Sequence, residues 1–127
     1  MSQLNGFKIF DFNEGAPYAS ITKNGITFNK SVIIKLGYPA KVQLLMNEDA
    51  KQLAVKVCDE AAEGAADFYK ENERKILSVR WSGRDLMNTI GEMTGWNFAA
   101  ESYRVEGKLL RDEKAVLFDL STATELK

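Results

Sequence analysis

Histidine is absent from the 127 residues, which removes the side chain most used for proton transfer near neutral pH and for binding transition metals. Neither a Ser-His-Asp nor a Cys-His arrangement can be assembled within one chain. Cysteine is nearly absent too. Cys58 stands alone, so no internal disulfide and no cysteine-rich zinc site can form, and an unpaired thiol suits a reducing compartment. No apolar run approaches the roughly 18 residues that cross a bilayer, and Met1 to Gly6 lacks a basic segment followed by a long apolar stretch. The expectation is a cytoplasmic protein without membrane attachment. The Gly-x-x-x-x-Gly-Lys and Gly-x-Gly-x-x-Gly phosphate loops are missing as well, which argues against the commonest nucleotide-dependent enzymes. Charge of one sign is also lacking. Seventeen Lys and Arg oppose eighteen Asp and Glu, a formal charge of -1, so a site for a polyanion has to be a local patch.

What is present fits one soluble domain, 45% hydrophobic and 28% charged, long enough to bury a core without disulfide or metal. Phe7, Ile9, Phe10 and Phe12, ahead of Gly15 and Pro17, read as a short strand or extended arm that docks by its aromatics. Tyr18 to Lys23 has high strand propensity, and Asn24-Gly25 is the dipeptide that a two-residue hairpin prefers, so Ile26 to Phe28 reads as the return strand. Val32, Ile33 and Leu36 lie at helical spacing before Gly37, which predicts a short helix over about 30–36. Val42, Leu44 and Met46 alternate, as do Leu53, Val55 and Val57, around the polar turn 47–51, an antiparallel hairpin with one buried face.

From Asp59 to Lys75 the chain turns acidic and alanine-rich, with Gly64 in the middle, a loop or irregular helix and the one internal boundary within an otherwise single domain. Ile76 to Trp81 is rich in strand formers. Ser82 with Asp85 three residues on predicts a side-chain cap, and Leu86, Ile90 and Met93 recur at helical spacing up to Gly95, a helix over about 83–94. Trp96 and Phe98 anchor its exit. Tyr103, Val105 and Leu109, then Val116, Phe118 and Leu120, form the inward sets of a second hairpin turning at 111–114. The tail from Thr122 reads as frayed. These elements predict an α+β fold of mainly antiparallel short strands and hairpins packed on one principal helix.

Gly25-Ile26-Thr27-Phe28-Asn29-Lys30, then Val32, Lys35-Leu36-Gly37 and the alternating hairpin to Val57 follow a recognisable order. This stretch, about Asn24 to Val57, resembles the swapped-hairpin core of the AbrB-like bacterial transition-state regulators. The resemblance implies a DNA-associated regulatory or assembly module and a homodimer, because in that family two hairpins interleave. Asn29 stands where proline commonly opens the family's short helix. Ile33 and Ile34 replace basic residues common in its middle, and losing two phosphate-neutralising positions weakens DNA affinity.

Residues 19–57 hold six lysines against two acids, and Lys23, Lys30, Lys35 and Lys41 are the candidate contacts to DNA or a partner protein. The same lysines also suit the solvated faces of strands. A different class of function, a small-molecule binding domain, would place Trp81, Trp96 and Tyr103 around an aromatic pocket. Glu101, Glu106 and Asp119 could serve paired-carboxylate hydrolysis only if the fold brings them together. The acids Asp59, Glu60, Glu63 and Asp67 lack the spacing of a calcium loop. No catalytic residue, metal or cofactor is assigned, and the expectation is a binding protein rather than an enzyme.

Overall fold

A computed structural model describes residues 3–7, 15–70 and 77–126. Ile9, Phe10 and Phe12 of the expected aromatic arm, and Ile76 at the start of the expected third-quarter strand, lie outside these residues. Phe7 lies within them and is exposed rather than docked.

The elements are β1 (Tyr18–Thr22), β2 (Gly25–Phe28), α1 (Lys30–Lys35), β3 (Lys41–Asn47), β4 (Gln52–Val57), β5 (Ala66–Asp67), β6 (Val79–Trp81), α2 (Arg84–Thr94), β7 (Ser102–Leu110), β8 (Ala115–Asp119) and β9 (Thr124–Leu126). The strands form one antiparallel sheet in the order β5-β3-β4-β8-β7-β1-β2-β6, curled into a half-barrel, with β9 added beside β7. The fold is α+β with one principal helix and one short helix. Strand alternation sets the core: Ala19, Ile21, Ile26, Phe28, Val42, Leu53, Val55, Val105, Val116 and Phe118 face inward and are buried.

Strand β7 is the hinge of the architecture. Its first half pairs with β1 on one side and β9 on the other, while Gly107 to Leu110 pair with β8. Between β8 and β9 the chain makes a 3-10 turn at Leu120–Thr122, capped by the Asp119 carboxylate, which accepts from the Ser121 amide at 3.0 Å. The tail is therefore not frayed at Thr124–Leu126. The edge of β7 left open where β8 departs gives it a strand to join.

The two helices sit at opposite ends of the half-barrel. α1 follows β2 and lies beside the end of β4 and the β7–β8 turn, with Val32 and Ile33 fully buried. α2 runs across the other end, from the β1–β2 turn near Met87 and Asn88 to the β3–β4 turn near Thr89 and Met93, and buries Ile90 completely. Leu86, Met87 and Met93 pack partly against the same core.

Three local expectations shift. The β1–β2 loop is Lys23–Asn24, and Thr22 pairs with Gly25, so the Asn-Gly pair is offset by one residue. Neither loop residue has positive φ; Gly25 does, at 129°, and a Cβ there would stand 2.2 Å from the Trp81 carbonyl oxygen. Ser82 packs against Gly25 instead of capping α2, whose N-cap is Gly83 with no side-chain bond. Over its described residues, 59–70, the acidic stretch is neither wholly loop nor helix, since β5 pairs with Lys41–Val42 and Phe68 enters the core; 71–75 lie outside the described residues.

Candidate nucleic-acid interface

The outward parity of β1, β2, β6 and β7 places Ser20, Thr27, Arg80 and Arg104 on one side of the sheet. Register aligns them in a single cross-strand row, Arg80–Thr27–Ser20–Arg104, extended to Thr124 on β9. The two arginines are three strand spacings apart, about 14 Å between backbones. Around this row lies a groove of about 540 Å³ lined by Tyr18, Ser20, Thr22, Thr27, Asn29, Lys30, Leu77, Ser78 and Arg80. The lining holds two cations, four hydroxyl side chains besides Tyr18, and no carboxylate. Glu106 lies two residue pairs along from the row, opposite Tyr18.

The groove is held in shape by side-chain bonds. Arg80 Nε donates to Thr27 Oγ1 at 3.0 Å, which fixes the plane of its guanidinium across β2. Arg104 stacks its guanidinium 4.1 Å from the centre of the Tyr18 ring, a cation–π contact that orders both. Asn29 explains why no proline is needed ahead of α1. Its Oδ1 accepts from Val32 N at 3.3 Å as a helix cap and from Tyr18 N at 3.0 Å, while Nδ2 donates to the Ala16 carbonyl at 2.9 Å. The buried Ser31 hydroxyl donates to the Gly15 carbonyl at 3.0 Å, which ties α1 to the chain entering β1.

The four lysines singled out by sequence do not converge. Lys30 lines the groove. Lys35 lies at the other end of α1, in a separate hollow with Arg111 and Lys114. Lys23 sits in the β1–β2 turn at the α2 end of the barrel. The Lys41 ammonium bonds the Asp67 carboxylate, which also meets Lys70 Nζ at 3.6 Å; Asp67 raises the Lys41 pKa, and Lys41, then Lys70, lower that of Asp67. Ile33 is fully buried, so that position is spent on the core. Arg80 and Arg104 were not legible as a pair in the sequence, being lone arginines 24 residues apart until register aligns them.

The aromatic set divides as well. Trp96 stacks on Tyr103 with centroids 3.9 Å apart and planes within 10°, and Phe98 meets Trp96 edge-on. Trp81 belongs to another cluster with Phe28 and Phe68, and the fully buried Ile21 and Ile26 occupy the cross-strand row between it and Tyr103. Burial, and then Glu101, raises the Tyr103 phenol above its ordinary value. Among the described residues, no group of three or more His, Cys, Asp or Glu is placed to hold a metal ion, and no helix is long and apolar enough to cross a membrane.

Comparison with protein families, with curated proteins and with solved structures yields no match. The elements within Asn24–Val57 are a strand, a short helix, a Leu-Gly stop and a hairpin, and they find strand partners in their own chain: β2 in β1 and β6, β3 in β5, β4 in β8.

Proposed function

We infer that the protein is a non-enzymatic binding module that holds a nucleic-acid backbone on the outer face of β6-β2-β1-β7. The observation that carries this reading is the Arg80–Thr27–Ser20–Arg104 row beside Lys30, a cationic and hydroxyl-rich groove without a lining carboxylate on a chain whose net charge is slightly negative. Phosphate oxygens take hydrogen bonds from arginine forks and from Ser and Thr hydroxyls, and these contacts position a backbone without reading its sequence. The resemblance of Asn24–Val57 to the AbrB-like regulators points to the same class of ligand, and a regulatory role follows from it. The contact set differs from the lysine set: Lys30 stays, Arg80 and Arg104 join, and Lys23, Lys35 and Lys41 drop out.

Fluorescence polarisation with labelled single- and double-stranded oligonucleotides at low and moderate salt tests the reading. Binding at low salt should weaken steeply as salt rises, and Arg80→Gln with Arg104→Gln should cost about 3 kcal/mol, on the order of 100-fold, if each arginine contributes one charge-assisted phosphate contact. Lys23→Gln should leave binding unchanged. Absence of binding at low salt, or equal losses in the Lys23 and arginine variants, removes nucleic acid from the account.

A further inference from the structure

A second hollow lies at the α1 end of the barrel, about 410 Å³, lined by Ile34, Lys35, Leu36, Gly37, Val57, Leu109, Arg111 and Lys114. Its chemistry differs from that of the first groove. Four aliphatic side chains, Ile34, Leu36, Val57 and Leu109, form its floor, and three cations stand around it with no lining carboxylate. The neighbouring Glu113 turns to Lys56, with its Oε2 3.5 Å from Nζ. The rim is fixed by backbone bonds: Lys114 has φ 51°, its carbonyl accepts from Val57 N at 2.9 Å, and its amide donates to the Arg111 carbonyl at 3.1 Å. On the α1 side the Ile34 carbonyl accepts from Gly37 N and the Ile33 carbonyl from Tyr38 N, each at 3.0 Å.

We propose that this hollow binds a small amphipathic carboxylate, a medium-chain acyl or aryl acid whose apolar body covers the Ile34–Leu36–Val57–Leu109 floor and whose carboxylate meets Arg111 and Lys114. An apolar floor with a few convergent polar groups is the ordinary make-up of a ligand site, and its volume falls within the usual range. The planar guanidinium of Arg111 matches a carboxylate in a two-bond fork, and Lys114 adds a point charge. The assignment is independent of the nucleic-acid reading, because Arg80, Arg104 and Lys30 take no part in it.

Isothermal titration and amide NMR shifts with octanoate, octanol and inorganic phosphate as probes test it. Octanoate should shift the amides of 34–37 and 109–114 and bind more tightly than octanol by at least about tenfold, the loss expected for one charge-assisted contact. Arg111→Gln and Lys114→Asn, both in an exposed turn, should each weaken octanoate and leave octanol unchanged. Equal binding of octanoate and octanol, phosphate binding as tight as octanoate, or an Arg111→Gln variant with unaltered octanoate affinity overturns the proposal, as does the absence of any octanoate binding to the wild-type chain.

Discussion

The indole Nε1 of Trp81 donates a hydrogen bond of 3.0 Å to the carbonyl oxygen of Asp67, and this bond joins the first and last strands of the curled sheet. No strand pairing links β5 with β6, so the seam is made by side chains. Trp81 meets Phe28 edge-on at 5.1 Å and Phe68 at 5.8 Å, and Phe68 in turn lies 5.6 Å from Phe28.

Replacing Trp81 separates the two contributions. Trp81→Phe keeps an aromatic ring at the seam and removes the N–H donor, which should cost about 1 kcal/mol in urea unfolding. Trp81→Ala also removes the ring and should cost about 3 kcal/mol, since large-to-small changes at packed aromatics reach that range. Equal midpoints for wild type and Trp81→Ala would show that the seam contributes nothing.

Ile90 is the one fully buried residue of α2. Ile90→Ala should destabilise by about 2 to 4 kcal/mol, and Ile90→Asp should unfold the chain, because a carboxylate there has no water and no partner. Circular dichroism and thermal melting check both; an Ile90→Asp protein with an unchanged midpoint would contradict the packing of α2.

Gly107 sits where β7 crosses under Phe118, and a Cβ there would stand 2.5 Å from Val116 Cγ1 and 2.9 Å from Phe118 Cε1. Gly107→Ala should therefore cost about 1 to 3 kcal/mol as overpacking. Gly37→Ala makes a contrast, since nothing lies near its Cβ and only its φ of 79° resists the change. Its cost should be smaller, about 1 kcal/mol.

Acid should destabilise the fold through two surface carboxylates. The Ser121 hydroxyl and amide hold Asp119 below the ordinary carboxylate range, and the bond and charge of Lys41, then of Lys70, do the same for Asp67. A folded-state pKa below the unfolded one gives stability that is present above about pH 4 and is lost as pH falls through the folded value. Thermal midpoints measured from neutral pH downward should fall in that window, and less so for Asp119→Asn or Asp67→Asn. Asp67 is exposed and Asp119 only half-buried, so the effect is small. For Lys41 the sign reverses: its raised pKa gives stability that is present below its ordinary value and lost at more alkaline pH.

Self-association is the remaining expectation from the AbrB-like stretch. Sedimentation equilibrium of the purified chain should give a dimer if that resemblance extends to assembly, and a monomer at all concentrations removes it.

The strand pairs with strict alternation were legible: Val42, Leu44 and Met46 against Leu53, Val55 and Val57 pair in the expected hairpin, and β7 with β8 turns at 111–114 as read. α2 runs within a residue of its expected span because Leu86, Ile90 and Met93 mark its face and Gly95, at φ 78°, ends it. What escaped was structure made by distant neighbours. β5 and β9 are short strands whose own residues carry little pattern; each exists because another strand offers it an open edge. The groove escaped for the same reason. Lysines close in sequence proved far apart in space, since Lys23 and Lys30 occupy opposite ends of β2. Arg80 and Arg104 came onto one cross-strand row only through the register of three strand pairs. The outward Ser20, Thr22 and Thr27 were the available signal, a hydroxyl face on a hairpin otherwise read only for its buried side.

Because β7 joins the two halves of the sheet, the order in which the ribosome releases the chain matters. The β1–β2 hairpin emerges early, yet its pairing with β7 closes a loop of some eighty residues, which is intrinsically slow compared with local helix or hairpin formation. Until Ser102–Leu110 leaves the exit tunnel, Ala19 and Ile21 of β1 lack the strand that pairs with them, so nascent chains stalled before that point should be the ones that chaperones hold and proteases cut.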